Sequence, residues 1–73
     1  MNYQDIQDYA DMLYNARVGV ADYKEVISVI HRAKPTPSEL SAIQVLAEYC
    51  VEAHRGIELD WNFIKNKIKD MLK

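Results

Sequence analysis

Cys50 and His54 stand four residues apart, the spacing that puts two side chains on one stripe of a helix. A thiol and an imidazole can bind zinc or form a nucleophile–base pair, so these residues are the first place to look for chemistry. Zinc takes four protein ligands, or three and an open position. The remaining histidine, His31, falls on the polar side of a different segment, and Cys50 is the only cysteine. No second pair of ligands completes a metal site. A cysteine nucleophile also needs donors for an oxyanion and an acid that orients its base, and no segment supplies them. Tyr49 and Val51 flank Cys50 in a mostly apolar segment, which predicts a buried, inert thiol with a raised pKa. The sequence therefore predicts no catalytic residue, no metal ligand and no cofactor. A chain this short also has little room for a substrate pocket of several hundred cubic ångströms.

Charge offers a second chemistry. Lys65, Lys67, Lys69 and Lys73 crowd the last segment, with Arg32 and Lys34 at the end of another. These are the candidate nucleic-acid contacts, and the join around Pro35 could pass for the turn of a helix-turn-helix. The segment after that join, however, turns Ser41, Gln44, Glu48 and Glu52 outward, and its two carboxylates repel phosphates. With 9 basic and 11 acidic residues, the net charge of −2 announces neither nucleic acid nor an anionic membrane as the partner. Asp5, Asp8 and Asp11 begin a helical segment, where negative charge complements the helix dipole.

The third candidate is a set of apolar residues out of step with their neighbours. Phe63 falls among Asn66, Lys67 and Asp70 rather than with Trp61, Ile64 and Ile68. Tyr14 and Val18 lie on a flank of the first segment, and Val20 follows in the turn. Five tyrosines against one phenylalanine favour rings that tolerate half-exposure, a trait of protein interfaces. Tyr14, Val18, Val20 and Phe63 are the expected contacts with another protein or with a second copy of the chain.

Elements that position these residues follow from two glycines and two prolines. Gly19, Gly56, Pro35 and Pro37 cut the chain into four pieces, each with a helical period. In the first, from about Tyr3 to Arg17, Asn2 can cap and Ile6, Tyr9, Ala10, Leu13 and Ala16 form the apolar face. Asp22 and Glu25 are spaced as a capping box for the second, whose apolar face is Tyr23, Val26, Ile27, Ile30 and Ala33. Thr36-Pro37-Ser38-Glu39 matches a helix start at every position: a box of Thr36 with Glu39, and a proline where no amide is needed. The third helix, about 37–55, has one narrow polar stripe and is expected at the centre. Asp60 caps the fourth, with Leu59 and Ile64 at the spacing of a hydrophobic staple. Its expected core face is Trp61, Ile64, Ile68, Met71 and Leu72, and Lys65, Lys69 and Lys73 flank that face.

Short connections predict hairpins between sequence neighbours. The expectation is one all-α domain over residues 1–73, a compact bundle of four short helices. With 49% hydrophobic and 27% charged residues the chain has the balance of a folded protein. No apolar run reaches the length of a bilayer span, and MNYQDIQDY lacks the features of a secretory signal. A lone cysteine fits a reducing compartment, so the expected location is cytoplasmic. The functional expectation is a small non-catalytic interaction module: an adaptor, an inhibitor or regulator of a larger protein, or a self-associating accessory factor. Nucleic-acid binding through the C-terminal lysines is the alternative.

Overall fold

Each helix begins on a side chain that satisfies an otherwise free backbone amide. In the computed structural model, which describes residues 1–73, four α-helices follow one another: α1 (Tyr3–Arg17), α2 (Tyr23–Arg32), α3 (Pro37–His54) and α4 (Trp61–Met71). The Asn2 side chain accepts from the Asp5 amide at 2.9 Å, and Asp5 accepts from the Asn2 amide at 3.1 Å. Thr36 and Glu39 form the same reciprocal box, at 3.2 and 2.8 Å, with Pro37 opening the helix. Asp22 differs from expectation: it accepts from the Glu25 amide at 3.2 Å, but the return bond of a box is missing. Asp60 accepts from the amides of Asn62 and Phe63.

The helix ends divide into two kinds. Gly19 and Gly56 take φ of +84° and +89° just past α1 and α3, the left-handed cap that glycine adopts without steric cost. Past α2 the same conformation falls on Lys34, with φ +51°. Pro35 excludes the helical region for the residue before it, and the left-handed turn lets the Lys34 amide donate to the His31 carbonyl at 3.0 Å.

Packing departs from a chain of neighbour hairpins. α1 packs on α2, and α3 on α4, but the most extensive interface joins α1 to α3. Those two helices run in the same direction. The terminal amine of Met1 meets Glu39 beside the start of α3, and Tyr14 meets His54 at its end. α2 is the return stroke and packs on α1 rather than on α3. α4 runs back against both, because Tyr3 meets Lys65 and Lys69 whereas Gln7 and Asp11 share a cleft with Trp61. α3 is therefore central, as its narrow polar stripe leads one to expect, and it shares that place with α1: the two form the largest interface, with α2 on α1 and α4 on α3.

The core is one cluster drawn from all four helices: Ile6, Ala10 and Leu13; Val26 and Ile30; Ala42, Ile43, Leu46 and Ala47; Ile64 and Ile68. No buried side-chain nitrogen or oxygen lacks a partner. The Cα envelope measures 30 × 30 × 16 Å, a flattened bundle with much half-buried apolar surface around its core. No helix is long and apolar enough to cross a membrane.

The contact of Met1 with Glu39 gives stability a pH window. The Met1 ammonium, and after it the Thr36 amide, hold the Glu39 carboxyl below the usual glutamate range. Glu39 in turn, mainly through its hydrogen bond, raises the terminal amine. A lowered carboxyl stabilises the fold above its ordinary pKa and loses that contribution as pH falls through the folded value; a raised amine stabilises below its ordinary pKa and loses it as pH rises. Thermal midpoints should therefore plateau from about pH 5 to about pH 7 and fall on both sides. Acetylating the amine should remove the alkaline fall that this pair causes. An unchanged alkaline limb after acetylation would show that the pair adds nothing.

Candidate interaction surface

Phe63 is 63% exposed on the outer side of α4. The fold places it there because Ile64 and Ile68, on the opposite side of the same turns, are drawn into the core. With Asn66, Lys67, Asp70 and Met71 it lines an open groove of about 560 Å³ along that one helix. Val20, 76% exposed, projects from the turn between α1 and α2, and Tyr23 is exposed at the start of α2. Of the other expected contacts, Val18 is half-buried.

Tyr14 also makes a contact within the fold. It is half-buried, its hydroxyl lies 2.8 Å from Nδ1 of His54, and the two rings meet edge to face. The ring therefore ties the ends of α1 and α3 together, and its polar atom is already engaged. Beside it, Arg17 of α1 pairs with Glu48 of α3.

Three helices form a second, smaller feature. Tyr3, Gln7 and Asp11 fall on successive turns of α1, Leu46 and Cys50 on successive turns of α3, and Trp61 starts α4. Together they line a cleft of about 310 Å³. Three sequence expectations are corrected by these positions. Trp61, expected in the core, is 47% exposed. It occupies the first position of α4, where a side chain leaning toward the helix start overhangs the end of the packed face. Tyr23 occupies the corresponding position of α2 and is exposed for the same reason. Cys50, expected to be buried, is half-buried and lines the cleft. Desolvation first, and the Asp11 carboxylate second, push its thiol up, so it remains protonated at neutral pH. The same desolvation, with a smaller effect from Cys50, raises the Tyr3 phenol. The i, i+4, i+8 spacing of Tyr3, Gln7 and Asp11 is the signal in the sequence that could have marked this wall.

The lysines of α4 sit on two flanks. Lys65 and Lys69 stand over the Tyr3 ring, 5.5 and 5.9 Å from its centroid. Lys67 lies on the other side, over Tyr49 at 5.6 Å, and donates to the Tyr49 hydroxyl at 3.1 Å. Lys73 pairs with Asp70 at 3.4 Å. Arg32 and Lys34 are exposed near the end of α2. The basic residues thus do not line up along one helix face. His54 is engaged by Tyr14, His31 is exposed on α2, and no three His, Cys, Asp or Glu side chains converge as metal ligands would. No known protein family matches the chain, and no curated protein or solved structure is detectably similar to it.

Proposed function

We propose that this chain is a small, non-catalytic protein-interaction module that binds another protein, or a second copy of itself, through exposed apolar side chains. The supporting observation is Phe63. It is a large ring, 63% exposed, on an open groove whose other lining is Asn66, Lys67, Asp70 and Met71. An aromatic group over a mixed polar and apolar rim has the make-up of an interface anchor. Val20 is a second exposed apolar group, in the turn after α1. A small core also favours association, because binding to the folded state adds to its stability. The lone cysteine, half-buried with a raised pKa, suits a cytoplasmic setting in which disulfides are rare.

Phe63→Asp tests this reading. Far-UV circular dichroism should match that of the parent, since an exposed side chain contributes little to folding. Association, followed by light scattering and by retention of partners from the native host, should be lost. A variant that unfolds would place Phe63 in the fold, and one that associates normally would remove it from the interface.

A further inference from the structure

Lys65 and Lys69 carry charges that the fold leaves without a carboxylate. The three ion pairs of the molecule use Met1 with Glu39, Arg17 with Glu48, and Lys73 with Asp70. Both free ammonium groups stand over the Tyr3 ring, and Tyr3 also lines the cleft with Leu46, Cys50 and Trp61. Trp61, Lys65 and Lys69 occupy successive turns of α4. An apolar hole therefore opens directly beside a pair of cations about one helical turn apart. The far wall is polar and of opposite sign: Asp11 and Gln7 line it, and neither side chain makes a hydrogen bond or an ion pair within the chain.

We propose that this cleft, with Lys65 and Lys69, docks an acidic amphipathic helical segment of another protein. One leucine or phenylalanine of the segment enters between Tyr3, Leu46, Cys50 and Trp61. Carboxylates one turn apart on the segment pair with Lys65 and Lys69, matching the i, i+4 spacing of the two lysines. Asp11 repels the same carboxylates, so the acidic side of the segment lies along α4 and not along α1. At about 310 Å³ the cleft is at the lower limit of sites for small ligands, and a single side chain with its contacts outside the hole fits it better. This rests on the interaction-module reading but uses a different surface from Phe63.

Trp61 is the only tryptophan and lines the cleft, so its emission reports occupancy. The probe is a short capped peptide of glutamate and leucine at amphipathic helical spacing, free of aromatic residues. Its counterpart has lysine in place of glutamate. Titration of the whole chain with the acidic peptide should give a saturable change in Trp61 emission that weakens with added sodium chloride. The basic peptide should bind about tenfold more weakly or worse. Lys65→Glu with Lys69→Glu should invert that order. Lys65→Ala with Lys69→Ala should lower affinity for the acidic peptide without raising it for the basic one, and serves as well if charge reversal disturbs the fold. Equal affinity for the two peptides, no saturable change, or indifference to both double variants would overturn the proposal. So would an emission change that tracks protein concentration without peptide, because a second copy would then be the occupant. Phe63→Asp separates the two surfaces. If association needs Phe63 and the peptide does not bind, only the cleft falls; if the peptide binds and association ignores Phe63, only the groove falls.

Discussion

Ile43→Ala should remove about half of the stability of this protein. Ile43 is fully buried in the middle of α3, in a core of 11 residues. Truncating a buried isoleucine costs about 2–5 kcal/mol, because the lost transfer energy is joined by the cavity left behind. At roughly 0.05–0.15 kcal/mol per residue, a chain of this length holds only about 4–11 kcal/mol in all. α3 packs on both α1 and α4, so the cavity cannot close by the shift of one helix without opening a gap at another. A urea titration followed by circular dichroism should lose about 2–5 M from its midpoint, with a slope near 1 kcal/mol/M. Val45→Ala, at a half-buried position on the same helix, should cost about 1 kcal/mol. Equal losses at the two positions would mean that α3 is not at the centre.

Ala10→Leu should be nearly as damaging, in the opposite sense. Ala10 on α1 and Ala42 and Ala47 on α3 are each fully buried, and α1 and α3 form the largest interface. Small residues let two helices approach closely, and the side chains at the contact set the distance between axes. A leucine there forces the helices apart or into strained rotamers, at about 1–3 kcal/mol. In a domain of this size that lowers the melting temperature by roughly 5–20 °C. Helix propensity barely distinguishes the two residues, so any large effect is tertiary. Ala53→Leu, half-buried near the end of α3, is the control and should shift the melting temperature far less. A variant at position 10 that melts at or above the parent temperature would show that this interface has room to spare.

The exposed and engaged aromatic residues show where sequence reading stops. Asn2, Asp22, Thr36 and Asp60 could be read as caps because each bonds an amide two or three residues away. Period alone also separated Ile64 and Ile68 from Phe63, since a helix fixes the angle between successive side chains. The same reasoning misplaced Trp61 and Tyr23. Period gives a direction around the axis, but whether a neighbouring helix extends far enough to cover the first turn depends on where that neighbour ends. The position of Tyr14 on the flank of α1 gives no sign that its hydroxyl meets a histidine 40 residues away. No local pattern encodes that meeting.

From its own spacing, this sequence determined four helices, their boundaries, their caps and most of the residues that turn inward, because each depends on interactions within a turn or two of the chain. Only the tertiary structure decided that α1 lies parallel to α3 rather than against α2 alone, that Cys50 borders a cleft, and that Lys65 and Lys69 share the ring of Tyr3. Those features depend on the relative direction and offset of whole helices. That arrangement is set by how side chains of different size fit across each seam, a property of pairs of segments far apart in the chain.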